Sequence, residues 1–182
     1  MEARTGDRFQ TVTLVAHPVD ASGPVKVVTV HFASREAELW LRFVVEGAVE
    51  AVNWPKAVEP VRMEDLWMTT CFEAFVETPE GYVEFNLSPS GAWASYAFDG
   101  YRQGMRPADQ TVIVAGLDGA DDQVALEGTI VLPAGARRLG LSAVIQAEGG
   151  GKTYWALAHP SERPDFHHAE SFIVTLTPAE PA

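Results

Sequence analysis

Apolar and polar residues alternate in short runs along most of the chain. Thr11–Ala16 sets Val12 and Leu14 against Thr11 and Thr13. Pro24–Ala33 sets Val25, Val27 and Thr29 against Lys26, Val28 and Val30 and turns apolar again at Phe32. Side chains on a strand point to opposite faces in turn, so this period of two predicts strands with one face buried. Further runs rich in β-branched and aromatic residues are Glu38–Val45, Cys71–Glu77, Tyr82–Ser88, Trp93–Phe98, Thr111–Ala115, Gln123–Leu132, Leu139–Ala147, Thr153–Ala158 and Ser171–Thr177. Most are bounded by turn-forming residues, among them Ser22-Gly23-Pro24, Pro79-Glu80-Gly81, Pro89-Ser90-Gly91, Asp118-Gly119 and Gly149-Gly150-Gly151. No long helical period and no repeat of 20 to 50 residues interrupts them. The pattern predicts an all-β chain, and an antiparallel two-sheet β-sandwich of jelly-roll type closes such a chain most readily. Residues 1–177 are expected to form one domain and residues 178–182, with Pro181, a flexible tail.

Composition narrows the function more than the fold. The 182 residues are 47% hydrophobic and 21% charged, a globular balance and one domain's worth of chain. Thirteen Lys and Arg against twenty-five Asp and Glu give a formal charge of −12. Binding to nucleic acid or to an anionic membrane begins with a basic surface, so both partners are excluded as first readings. The lone cysteine, Cys71, rules out an internal disulfide and any multi-thiolate metal site. The polar start Met1–Arg8 lacks the apolar core of a signal peptide, and no apolar run is long enough to span a bilayer, so the expected location is cytoplasmic.

The most informative stretch is the hairpin around Pro79. If Thr78-Pro79-Glu80-Gly81 is a four-residue loop, Glu77 lies opposite Tyr82 and the rest of the register follows. Phe72 then faces Leu87, Ala74 faces Phe85 and Val76 faces Val83, which makes a uniformly apolar core side. The other side pairs Cys71 with Ser88, Glu73 with Asn86, Phe75 with Glu84 and Glu77 with Tyr82. Such a surface is either an ordinary solvated sheet face or a platform for sugars, on which planar acids and amides hold neighbouring hydroxyls and an aromatic ring packs against the ring C–H groups. The next strand contributes in one of two ways. A loop that pairs Ser88 with Trp93 adds Trp93 and Ser95 to the acidic side; a loop one residue shorter adds Ala94, Tyr96 and Phe98 and sends Trp93 to the core.

Three connections exceed what hairpins need: Glu46–Leu66, Asp99–Gln110 and His159–Glu170. With the neighbouring Trp67, they carry Trp54, Tyr101, Arg102, Met105, Arg163, Asp165, His167 and His168, a composition suited to lining a pocket. The residues Leu66-Trp67-Met68-Thr69-Thr70-Cys71-Phe72-Glu73-Ala74-Phe75-Val76, Tyr82-Val83-Glu84-Phe85-Asn86-Leu87-Ser88-Pro89-Ser90-Gly91-Ala92-Trp93 and Tyr101-Arg102-Gln103-Gly104-Met105 resemble the DOMON-like proteins related to family 9 carbohydrate-binding modules. Tyr154–Leu157 and His167–Phe172 add to the likeness. The resemblance implies a β-sandwich that binds sugars or haem, and binding rather than turnover. Trp67, Trp93 and Trp155 are the candidates for its sugar-stacking tryptophans; Trp40 and Trp54 suit a core or loop role.

The combined reading is a non-catalytic site for a carbohydrate or similar polyhydroxylated small molecule, built from Glu73, Glu84, Asn86, Trp93 or Tyr96, Trp67, Tyr101 and Arg102. Arg102 is either a planar donor to an acidic ligand group or the ion-pair partner of Asp99 or Glu84. The resemblance also implies an alternative, a haem-carrying electron-transfer domain with a Met and a His as axial ligands, drawn from Met63, Met68 and Met105 and from His159, His167 and His168. A metal site on the same histidines lacks a recognised spacing, and the acidic turn Asp118–Asp122 lacks that of a calcium loop. Glu73 and Glu84, diagonal on neighbouring strands, also permit a glycoside hydrolase reading. Cys71, with no base beside it in this register, reads as a small half-buried packing residue.

Overall fold

A computed structural model describes residues 9–20, 22–35 and 37–176; the Met1–Arg8 segment and the 178–182 tail lie outside them. The chain is all-β. Twelve strands follow one another as β1 (Gln10–Ala16), β2 (Val25–Arg35), β3 (Glu38–Gly47), β4 (Cys71–Thr78), β5 (Gly81–Leu87), β6 (Trp93–Phe98), β7 (Arg106–Pro107), β8 (Val112–Ala120), β9 (Gln123–Val131), β10 (Arg138–Gln146), β11 (Lys152–Ala156) and β12 (Val174–Thr175). Only single turns of 3-10 helix separate them, and no helix of the described residues is long and apolar enough to cross a membrane.

The strands form one hydrogen-bonded path in the order β7-β6-β5-β4-β10-β11-β1-β2-β3-β9-β8, with β12 added beside β10 and every strand pairing antiparallel. β1 carries the path from one half to the other. Its first five residues pair with β2, and its last two, Val15 and Ala16, pair with Ala156 and Trp155 of β11. The sheet curls so that its two halves share one core. Phe43 of β3 meets Phe72 of β4 with ring centroids 4.9 Å apart. Phe32, Leu41, Leu126 and Ile130 join Phe85, Leu87, Leu139 and Leu141 in the same buried cluster. Burial of this apolar area is the main stabilising contribution, at about 25 cal/mol per Å².

Two register irregularities adjust the alternation. A shift between Val25 and Val27 in β2 lets Val25 and then Val28, Val30 and Phe32 face inward, so the core takes residues from both alternating sets. A second, between Val114 and Gly116, lets β8 bend along β9, with Gly116 at φ 103°.

Candidate functional site

The hairpin register around Pro79 is as its turn predicts. β4 and β5 pair Phe72 with Leu87, Glu73 with Asn86, Ala74 with Phe85, Phe75 with Glu84, Val76 with Val83 and Glu77 with Tyr82. Phe72, Ala74, Val76, Val83, Phe85 and Leu87 enter the core. The opposite side continues across five strands as rows of facing residues. One row runs Tyr96, Glu84, Phe75 and Gly140; the next runs Ala94, Asn86, Glu73, Ser142 and Ala156.

This second side is covered, contrary to the reading of an open, solvated platform. Glu73 is 3% exposed, Glu84 6% and Asn86 1%. The cover is the segment after β11, which lays Phe166, His167 and Phe172 against the floor. Phe172 stacks on Phe75 with centroids 5.8 Å apart, and His167 meets Phe75 and Phe98 edge-on at 5.2 Å each. Gly140 makes this possible, since a Cβ there would lie 2.5 Å from Phe172 Cδ1. The turn after β6 supplies the other side. Asp165 binds the two segments together: it accepts from Tyr101 Oη at 2.6 Å, from Arg102 Nη2 at 3.0 Å and from the His167 N–H at 3.2 Å. Tyr82 Oη then accepts from the Arg102 N–H at 3.2 Å and lies 2.8 Å from His167 Nδ1. Between floor and cover remains a cavity of about 820 Å³, bordered by Glu73, Glu84, Tyr96, Phe98, Arg102 and His167, with Trp67 and Met105 also on its lining.

The polar groups of the floor form a short network. Asn86 Nδ2 donates to Glu84 Oε1 at 2.7 Å, and Ser142 Oγ donates to Glu73 Oε2 at 3.3 Å. Burial pushes both carboxyls up, Glu73 well above the ordinary range because the charge of Glu84 adds to the effect. Asn86 and Arg102 offset part of the rise at Glu84. Burial, then the field of Arg102, pushes His167 down to about 4, so its ring is neutral at neutral pH. At Asp165 burial works upward, but the bonds from Tyr101 and Arg102 outweigh it and hold the carboxyl below the usual range. Fully buried Cys71 has its thiol pushed up by burial and by the two acids, and its Sγ lies 3.5 Å from Asn86 Oδ1. It is a packed, unreactive thiol, more deeply buried than the half-buried residue expected.

Of the residues anticipated for the site, Glu73, Glu84, Tyr96, Trp67 and Arg102 border the cavity. Asn86 lies in the floor beneath it, and Tyr101 reaches its rim through Asp165. Trp93 does not belong. Leu87 pairs with Trp93, so the β5–β6 loop is Ser88–Ala92, one residue longer than the loop that pairs Ser88 with Trp93 rather than one shorter; the faces exchange all the same, and Trp93 packs on the core side, with Arg62 4.8 Å over its ring. Arg102 pairs with Asp165 rather than with Asp99 or Glu84, and Asp99 pairs with Arg106. Trp155 is in the core.

His167, Asp165 and Phe166 complete the site without any sequence spacing that marks them; their only signal is a loop too rich in functional side chains for a plain connection. Met105 and His167 border the same cavity; His167 Nδ1 is bonded to Tyr82, and its Nε2 faces Glu84 Oε2 at 3.7 Å. His159 lies elsewhere, edge-on to His17 with centroids 4.8 Å apart. The acidic turn around Asp121 is the tip of the β8–β9 hairpin. No protein-family model matches the chain, and no curated protein matches it.

Proposed function

We propose that the cavity over Glu73, Glu84 and Asn86 is a non-catalytic binding site for a carbohydrate or similar polyhydroxylated small molecule. The observation that carries this reading is that two carboxyls and an amide, each more than nine-tenths buried, form the floor beneath a half-open cavity of about 820 Å³. Buried polar groups are expensive unless they are hydrogen bonded, and a guest with several hydroxyls supplies both donors and acceptors to them. Tyr96, Phe98 and Trp67 offer apolar faces to the C–H side of a sugar ring. The space falls within the usual range for small-molecule sites, so affinity is expected to exceed that of a shallow platform. The likeness of Leu66–Met105 to DOMON-like proteins supports the same reading, as does viewing the curled sheet as a jelly-roll-like sandwich whose halves share β1.

Titration calorimetry of the protein against mono- and disaccharides tests it. Saturable binding is expected, lost in Glu84→Ala while cooperative unfolding is retained. Absence of binding at millimolar sugar overturns it.

The same acid pair favours a second reading, glycoside hydrolysis. A carboxyl pushed well up, beside one whose rise is partly offset by Asn86 and Arg102, resembles the division between general acid and nucleophile. Turnover of chromogenic glycosides that disappears in both Glu73→Gln and Glu84→Gln would establish it; binding without turnover returns the first reading.

A further inference from the structure

The floor is incompletely satisfied. Among the described residues, hydrogen bonds reach Glu73 at Oε2 and Glu84 at Oε1, from Ser142 and Asn86. Among the described residues, neither Glu73 Oε1 nor Glu84 Oε2 takes part in these two bonds, and both residues are more than nine-tenths buried and border the cavity. The cation whose field reaches both acids is Arg102, and its guanidinium is bonded to Asp165. His167 turns Nε2 toward Glu84 but is neutral at neutral pH. Arg163 and Asp65 also line the cavity, but neither is paired with Glu73 or Glu84, so the two acids face one space with only the field of Arg102 acting on both.

We propose that the guest of this cavity carries a protonated amine, an amino sugar being the class that suits the whole site, and that its ammonium docks against Glu73 and Glu84. The proposal rests on the reading of the cavity as a site for polyhydroxylated molecules and specifies their charge. An ammonium has three donors and no acceptor, so it can bond to one open oxygen of each acid and still reach a third acceptor. A hydroxyl has one donor and can satisfy only one of them. Tyr96, Phe98, Tyr154 and Phe166 stand around the same space, and aromatic faces attract a cation most strongly where water is excluded. The formal charge of −12 draws cations toward the protein as a whole.

An ammonium between the acids also favours their ionised form, so docking releases protons wherever the empty pair holds them. The other groups facing the pair are Cys71 from β4, Tyr82 from β5, Tyr96 from β6, Arg102 from the turn after β6, and Asp165 and His167 from the cover. Cys71 and the tyrosines are pushed upward, Arg102 is raised, Asp165 is lowered and His167 is pushed to about 4. A change in bound protons on docking therefore reports on Glu73 and Glu84 together with the guest's own amine.

The test is calorimetry at about pH 7 with glucosamine, galactosamine and mannosamine, each beside its parent hexose and its N-acetyl derivative, in two buffers of different ionisation enthalpy. The expected result is an amine at least about tenfold tighter than both uncharged counterparts. In Glu84→Gln the ratio of amine to parent-hexose affinity should fall to about one, whatever the substitution does to hexose binding itself. Should that variant fail to fold, the wild-type comparison decides alone. A hexose bound as tightly as its amine overturns the proposal and leaves the cavity a sugar site. If none of the nine compounds binds at millimolar concentration, the reading of the cavity itself fails and the proposal falls with it.

Discussion

Tyr82 Oη lies 2.8 Å from His167 Nδ1 and accepts from the Arg102 backbone N–H at 3.2 Å, so one hydroxyl of β5 ties down both segments that roof the cavity. Removing it in Tyr82→Phe leaves the ring stack on Phe98 in place but frees both segments. The expected cost is about 1–3 kcal/mol for the lost bonds. Urea unfolding should show a lower midpoint with an unchanged slope, and hydrogen exchange should quicken in residues 99–105 and 165–168.

His167 gives the protein an acid limit. Its folded value of about 4 lies below the roughly 6.5 of an unfolded histidine. The contribution to stability is therefore complete above about pH 6.5 and is lost as pH falls toward about 4, with a limiting size on the order of 3 kcal/mol. An NMR titration should find the imidazole neutral down to about pH 5, and His167→Gln should flatten the acid limb of the stability curve. A His167 ring that titrates near about 6.5 in the folded protein contradicts this.

Glu73 acts in the opposite direction. Its carboxyl is raised in the folded state, so its contribution is complete below the ordinary carboxylate value and is lost as pH rises through the folded one. Glu73→Gln keeps the shape and the oxygen that accepts from Ser142 while removing the charge. This variant is expected to melt higher than the wild type at about pH 8, with the difference closing toward about pH 5. Equal melting at both pH values would contradict the burial argument.

Gly140 is needed for the cover rather than for the sheet. A methyl group there meets Phe172 Cδ1 at 2.5 Å, and Phe172 is fully buried, so the ring must leave its stack on Phe75. Gly140→Ala should cost about 1–3 kcal/mol by overpacking and weaken ligand binding, with strand content by circular dichroism unchanged. The further substitution Phe172→Leu should recover part of the stability.

The hairpin around Pro79 was legible because its loop length and its alternation agree: the turn picks the register, and a slip of one residue would part Phe72 and Ala74 from Phe85 and Leu87. The placement of Trp93 or Tyr96 was not, since a change of one residue in the 88–92 loop exchanges the faces and both outcomes are apolar enough to bury. The roof was illegible for a different reason. Phe166, His167 and Phe172 lie in a segment without period, and the contacts of His167 and Phe172 with Phe75 span more than about ninety residues of chain, a relation no local pattern encodes. Burial of Glu73 and Glu84 followed from that roof, so alternation alone assigned them to water.

The bulge in β8 bears on how the protein behaves when concentrated. At one border of the sheet β7 is two residues long and contains Pro107, which has no N–H to offer a neighbour. At the other border β8 is nine residues long, with Ile113 67% exposed, the kind of unprotected ribbon that recruits a second molecule into fibrils. The kink at Gly116 breaks that ribbon into two short pieces, neither long enough to template a partner. Straightening it, by deleting Ala115, would be expected to turn a self-contained protein into an aggregating one.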